Sequence, residues 1–318
     1  MGPQGELRRA PALRPGDWVG LAAPSSPFST QALQEGIAFL MSLGLRVRCL
    51  PELSKRRKGF LAGTDAERAA ELHAHFEDPE VRAIFAVRGG YGAQRILDKL
   101  DPLVIRRNPK IFVGYSDLTC LLSFLLDRCH MVCIHGPMVV EAGALTGRTK
   151  RWLWRCLSCP EALGRVPLPR ARWVRADRAR VRAPLVGGNL SIICSTIGTP
   201  WEIGTEGRIL FLEDWGEKPY KIDRMLVQLR QAGKLSSLAG LLFGDVLTGK
   251  GSDRAARDRK IVEEVVRENT LDLGVPVVIG LPVGHGKENL PLPVGPMAEL
   301  DGSRRTFSIL EPAVAERS

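Results

Sequence analysis

The 318-residue sequence contains no run of eighteen apolar residues, so no helical membrane span is expected. Its first nine residues, Met-Gly-Pro-Gln-Gly-Glu-Leu-Arg-Arg, lack the apolar centre of a secretory signal. Pro3 and Glu6 spoil the Met-Gly start as a myristoylation site. The expected compartment is the cytoplasm. Seven cysteines cannot all pair, and in a reducing compartment they are expected as free thiols rather than as a disulfide framework. Cys156-Leu-Ser-Cys159 is a lone CxxC, and Cys129, His130, Cys133 and His135 match no standard zinc spacing. Packing roles are expected for them, with no metal site. The sequence has no internal repeat and no low-complexity tract. Histidine is scarce, at five residues, which narrows the search for a general base.

What remains is an ordinary globular composition, 44% hydrophobic and 25% charged, on a chain long enough for two domains or one large one. The net charge of +10 is local. Residues 148–182 hold eleven Arg or Lys against Glu161 and Asp177, a net +9, so the rest of the chain is nearly neutral. The high isoelectric point therefore says little about partners of the whole protein.

From residue 16 to 134 strand and helix signals alternate. Trp18–Ala23 reads as a buried strand, Gln31–Leu43 as a helix stopped by Gly44, and Leu45–Leu50 as a strand. Thr64 with Glu67 three residues on predicts a capped helix to about Glu77. Val81–Val87 is an apolar strand running into Arg88-Gly-Gly-Tyr-Gly92, with a helix through Gln94–Leu100. Lys110–Gly114 is a short strand, Leu118–Asp127 has helical apolar spacing, and Met131–Ile134 is a further strand. Such alternation predicts βαβ units and a parallel sheet, whose sites form at the carboxyl ends of strands. Residues 146–183 are basic, rich in Arg, Pro and Trp and weakly periodic; they read as a linker or surface excursion. A first domain is expected over 1–145 and a second over 184–318, with helices at Leu190–Ile197, Tyr220–Ala232 and Ala255–Asn269 and strands at Arg208–Leu212 and Leu238–Phe243.

Four places offer chemistry. Gly114-Tyr-Ser116-Asp117 sits between a strand and an amphipathic helix, the layout of a nucleophile elbow that exposes a hydroxyl and offers helix N–H groups to an oxyanion. Leu118 stands where GxSxG wants a glycine, and the motif alone favours reading Ser116 as an N-cap. The Gly89-Gly90 pair allows close backbone approach and a second N–H beside Ser116, or is a plain strand-to-helix turn. His285, in Pro282-Val-Gly-His-Gly286, is the one histidine in a glycine-flanked loop after an apolar strand, where an imidazole serves as base; an ordinary loop histidine is as good a reading. Glu213 and Asp214 end a buried strand, where a carboxylate holds a histidine tautomer or simply ends the strand. The sequence does not choose between these two acids.

These residues together resemble the LD-carboxypeptidase family, which includes the microcin C self-immunity peptidases. The resemblance spans nearly the whole chain, in order: Leu13-Arg-Pro-Gly-Asp17, Ala23-Pro-Ser-Ser26, Arg88–Gly92 with Arg95 and Asp98, Gly114–Asp117, His135-Gly-Pro137, Gly187-Gly-Asn-Leu190, Leu212-Glu-Asp214, Glu217–Tyr220, Ile222-Asp-Arg224 and Gly284-His-Gly286. It implies an N-terminal flavodoxin-like domain, a smaller C-terminal α/β domain and an active site between them, usually in a homodimer. It implies a triad of Ser116, His285 and Glu213, an oxyanion hole from the backbone N–H groups of Asp117 and Gly90, and no metal or cofactor. The implied substrate is a murein tetrapeptide, cut before its terminal D-alanine during cell-wall recycling. Such an enzyme must hold a free carboxylate; Arg88 is the candidate clamp, or else a structural ion-pairing residue.

Two rival readings follow from residues 148–182, the segment where the chain departs from the family. Trp152, Trp154 or Trp173 offers an aromatic platform for a nucleobase, as a peptidase acting on a peptide–nucleotide would need. Arg interleaved with Trp also suits single-stranded nucleic acid or an anionic polymer, although a solvated basic loop is the commoner outcome and nucleic acid is not the expected partner.

Overall fold

A computed structural model describes residues 6–176, 180–247 and 253–317. Of the residues read above, the N-terminal five, Asp177 and Arg178 lie outside these. The chain divides into two compact units. One holds the residues up to Glu161, with Pro291–Gly295 and the chain from Pro312; the other holds Ala162–Leu290 and Pro296–Glu311.

The first unit is built on a six-stranded sheet. Strands β1 (Trp18–Ala22), β2 (Arg46–Arg48), β3 (Val81–Ala86), β4 (Ile111–Gly114) and β5 (Cys133–His135) are parallel, in the order β5-β4-β3-β1-β2. This is the flavodoxin-like order. β3 and β4 are apolar runs buried almost throughout, as a sheet covered on both faces requires. The strand order reverses between β1 and β3, so their carboxyl ends flank the crevice where such sheets bind ligands. Helices α1 (Thr30–Ser42), α2 (Asp65–Glu77), α3 (Pro102–Arg107) and α4 (Thr119–Asp127) connect the strands. The capping box predicted for α2 is present: Thr64 Oγ1 accepts from Glu67 N at 3.2 Å and Glu67 Oε2 accepts from Thr64 N at 2.7 Å. The helix expected through Gln94 is a 3₁₀ helix, Ala93–Lys99. α4 is buried from Thr119 to Leu126, which makes it a central helix rather than a surface one.

The basic segment departs from the expected linker. Its first part forms α5 (Gly147–Ser158), which belongs to the first unit and buries Thr149, Trp152, Leu153, Cys156 and Leu157. That 3.6-residue spacing is in the sequence, but the intervening arginines hide it. Trp152 donates Nε1–H to the Pro291 carbonyl at 2.9 Å, so it is a packing residue. The rest of the segment enters the second unit's sheet as β6 (Gly164–Arg165), β7 (Arg172–Arg175) and the start of β8 (Arg180–Asn189).

That sheet continues with β9 (Ile209–Trp215), β10 (Gly240–Leu247) and β11 (Val277–Ile279). After Leu292–Val294 (β12), which pairs antiparallel with β5 in the first unit, come β13 (Met297–Asp301) and β14 (Thr306–Ile309). The order is β6-β14-β13-β8-β9-β10-β11-β7, with β8 to β11 parallel in the middle and antiparallel strands outside. Arg180 and Arg182 meet Asp301 and Glu299 on β13, and Arg172 meets Glu263. These three arginines are therefore matched by acids more than ninety residues away. Arginines on β7 also suit an edge strand, where charge blocks further pairing. Helices α6 (Leu190–Thr196), α7 (Pro219–Gln231) and α8 (Asp253–Thr270) complete the unit. Among the described residues no helix is long and apolar enough to cross a membrane.

Candidate active site

In the first unit the candidate residues collect at the carboxyl ends of β1, β3 and β4. Ser116 follows β4 with φ of +62°, a left-handed conformation that a residue with a side chain holds only under constraint. Strain of this kind costs on the order of 1–3 kcal/mol; His130 and Arg305 also have positive φ. A short 3₁₀ turn, Ser116–Leu118, leads straight into α4, whose N-cap position is Leu118 with no side-chain cap bond. Ser116 thus sits in the strand-to-helix turn itself and is not at the N-cap position of α4.

The glycine pair makes room for it. A Cβ at Gly89 would lie 3.1 Å from Ser116 Cβ and 3.3 Å from its Oγ. Gly90 has φ of +104°, and a Cβ there would lie 2.5 Å from Ser26 Oγ. Ser26 ties this loop to the end of β1: its N–H donates to the Gly89 carbonyl at 3.2 Å, and its Oγ accepts from Tyr91 N at 3.0 Å.

Asp117, expected only as a backbone donor, also braces the site with its side chain. The buried carboxylate accepts from Ser25 Oγ at 2.6 Å and Ala93 N at 2.8 Å, joining the loops after β1, β3 and β4. Burial raises the Asp117 carboxyl above its ordinary range, against the lowering effect of these hydrogen bonds. Arg68, fully buried, donates Nη1–H to the carbonyls of Pro24 and Gly92 and so clamps the loops after β1 and β3. Ser25 stands in the Ala23–Ser26 motif, but nothing in the sequence pairs it with Asp117, 92 residues away, or Arg68 with the Pro24 carbonyl, 44 residues away. Arg88 is exposed and donates Nη1–H to the Pro27 carbonyl at 2.6 Å, a backbone contact rather than an ion pair.

In the second unit the carboxyl ends of β9, β10 and β11 gather the other candidates. Glu213 lies within β9 opposite Asn189 of β8, with no exposed surface. Its Oε2 is 2.7 Å from His285 Nδ1, and its Oε1 accepts from Asn189 Nδ2 at 3.2 Å. An imidazole held through Nδ1 by a carboxylate keeps its tautomer and presents Nε2 for proton transfer. Gly284 has φ of +110°, and a Cβ there would lie 2.7 Å from Glu213 Oε2, so only glycine lets this loop approach. Gly284 N donates to Asn289 Oδ1 at 3.1 Å, a brace that sequence reasoning missed.

Asp214 is used differently. Its Oδ2 accepts from Ser191 N at 2.9 Å and Ser191 Oγ at 2.7 Å, and its Oδ1 accepts from Trp215 N at 2.7 Å. Burial nevertheless pushes its carboxyl up to about 6. Adjacent strand residues point to opposite faces, which is why only one of the two acids meets His285. A third acid, Asp245, lies where the β9–β10 register slips between Phe243 and Val246. A side chain at Gly286 would overlap its carboxylate. Burial, helped by the nearby Glu213 charge and opposed by Arg259 and Arg170, pushes Asp245 up to about 6.

For metals, no group of three or more His, Cys, Asp or Glu among the described residues is arranged to hold an ion. Cys129 and Cys133 are buried thiols, with Cys129 pushed up to about 12. His135 is buried on β5 with its ring edge-on to Tyr115. These are packing environments.

A left-handed serine after a parallel strand and a histidine held by a buried carboxylate are candidate hydrolase residues, and the chain's relatives are carboxypeptidases. The N-terminal domain of LD-carboxypeptidases matches residues 19–136 and the C-terminal domain residues 182–300. A probable murein peptide carboxypeptidase of Bacillus subtilis is 37% identical over 96% of this chain and 95% of its own length. Among solved structures, muramoyltetrapeptide carboxypeptidase of Oxalobacter formigenes is similar with a TM-score of 0.80 at 31% identity, covering 94% of this chain and 99% of that one. The microcin C7 self-immunity protein MccF has a similar fold, with a TM-score of 0.84 at 22% identity over 96% of this chain and 99% of its own. The chain belongs to the LD-carboxypeptidase family, and carboxypeptidase activity is the activity its family and relatives carry.

Proposed function

We propose that this protein is a serine-type LD-carboxypeptidase that removes the terminal D-alanine from murein tetrapeptides. The observation that carries the reading is the 2.7 Å contact between His285 Nδ1 and the wholly buried Glu213. It leaves Nε2 as the proton acceptor in an enzyme whose candidate nucleophile is the strained Ser116. In this reading Ser116 Oγ attacks the scissile carbonyl as His285 Nε2 takes its proton. The backbone N–H groups of Gly90 and Asp117 stabilise the oxyanion. The imidazolium protonates the departing amine of D-alanine as the C–N bond breaks, leaving an ester on Ser116. Water, deprotonated by His285, then hydrolyses the ester and restores the hydroxyl. Arg88 receives the substrate's terminal carboxylate. The proposal includes action in the cytoplasm as a homodimer.

The test is mass spectrometry of L-Ala-γ-D-Glu-meso-diaminopimelate-D-Ala incubated with wild type and with Ser116→Ala. Tripeptide and free D-alanine are expected from wild type alone, with a loss on the order of 10⁶-fold in the variant, as for other triads. Equal release by both would remove Ser116 from the mechanism. Release by neither would turn attention to peptide–nucleotide substrates, for which the likeness to MccF supplies architecture only.

A further inference from the structure

We propose that Trp215 is a positioning residue for His285: its indole face holds the imidazole in place and stabilises the imidazolium. The inference rests on the reading of His285 as general base. Glu213 and Trp215 are two residues apart on β9, so strand alternation sends both side chains to the same face. One short piece of strand therefore supplies the carboxylate at the ring's edge and an aromatic surface against its plane. The Trp215 and His285 ring centroids are 6.0 Å apart with the planes 26° from parallel, an offset stack.

The backbone of Trp215 is fixed by its N–H bond to Asp214 Oδ1 at 2.7 Å and by pairing opposite Leu247. Gly216, with φ of +87°, turns the chain immediately afterwards. Trp215 is 48% exposed, so core packing does not account for a tryptophan here. An indole face carries negative quadrupole potential, which favours the charged imidazole over the neutral one. A planar partner against the ring face opposes rocking of the imidazole about the Nδ1–Oε2 axis. Both effects serve a base that must accept a proton and return it without moving.

The charged groups of this region are Glu213 on β9, in contact with His285, Asp245 at the β10 irregularity with Arg170 and Arg259 acting on it, and Lys287 and Glu288, two and three residues further along the histidine's own loop. All remain in a Trp215 variant.

The experiment uses the full-length protein with ¹³C-labelled histidine. NMR titration gives the His285 pKa without substrate, the resonance being assigned by its loss in His285→Gln. Trp215→Leu is expected to lower that pKa by several tenths of a unit to about one unit, the scale of a cation–π contact. Trp215→Phe, which keeps a ring face, is expected to retain most of the wild-type value. On the tetrapeptide, Trp215→Leu is expected to lower kcat about 3- to 30-fold with little change in KM, and Trp215→Phe to recover most of it. A pKa unchanged in Trp215→Leu, or a rise in KM at constant kcat, would overturn the proposal, the latter by making Trp215 a substrate contact. Full activity in His285→Gln would defeat the catalytic reading of His285 while leaving the NMR result to decide the stacking claim separately.

Discussion

The two units hold their candidate residues by different means. Around Ser116 the groups nearest the hydroxyl are main chain, a left-handed serine and a glycine pair without room for side chains, with the loops behind them tied by the Asp117 and Arg68 side chains. Around His285 they are side chains: a buried carboxylate, an amide behind it and an indole on the ring face. On the proposed roles the difference follows from the tasks. A nucleophile and its oxyanion donors need atoms at fixed points with nothing in the way, which backbone geometry supplies. A base needs a set proton affinity and a set tautomer, which require charged and polar partners.

This contrast breaks most sharply at the paired acids. Glu213→Gln is expected to lower kcat on the tetrapeptide by about 10⁴-fold, the scale seen when a triad acid loses its charge. Asp214→Asn is expected to leave kcat within about tenfold and to cost about 1–3 kcal/mol of stability through the Ser191 contacts. Steady-state kinetics and urea unfolding of both variants decide it; equal kinetic losses would mean that the two acids share the work.

A smaller effect separates the glycines. Gly90→Ala, forced against Ser26 at positive φ, is expected to lower kcat about 10²- to 10³-fold by moving an oxyanion donor, with the His285 titration unchanged. Gly284→Ala is expected to disturb that titration as well, because its Cβ would press on Glu213. A histidine NMR titration of each variant is the check, and a shifted His285 in Gly90→Ala would contradict the division of labour.

The smallest effect concerns Asp245. Its folded-state pKa, about 6, stands above that of an exposed carboxyl. Between the two values the folded protein binds more protons than the unfolded chain, so this group's contribution to stability falls as pH rises through that window. Asp245→Asn is expected to remove about 1–3 kcal/mol of that pH dependence between roughly pH 4 and 6.5. Urea midpoints across the range would show parallel curves for wild type and variant if the carboxyl has no such role.

Much of this was legible beforehand where the signal is local. The Thr64–Glu67 capping box, the apolar strands before Ser116 and the glycine-flanked His285 are each contained in a few consecutive residues. The basic segment was harder to read, because Arg172, Arg180 and Arg182 are matched by acids on elements far along the chain. β12 gave no warning either: a three-residue Leu-Pro-Val strand is recognisable only once β5 lies beside it.

The sequence by itself determined a parallel α/β sheet, a serine at a strand-to-helix turn and a histidine in a glycine loop, because periodicity and turn chemistry act between near neighbours. Tertiary structure decided that Glu213 rather than Asp214 meets His285, and that Trp215 lies on its ring. Alternation along β9 puts Glu213 and Trp215 on one face and Asp214 on the other, but which face receives a histidine some seventy residues later is settled only by how the loop after β11 packs on the sheet.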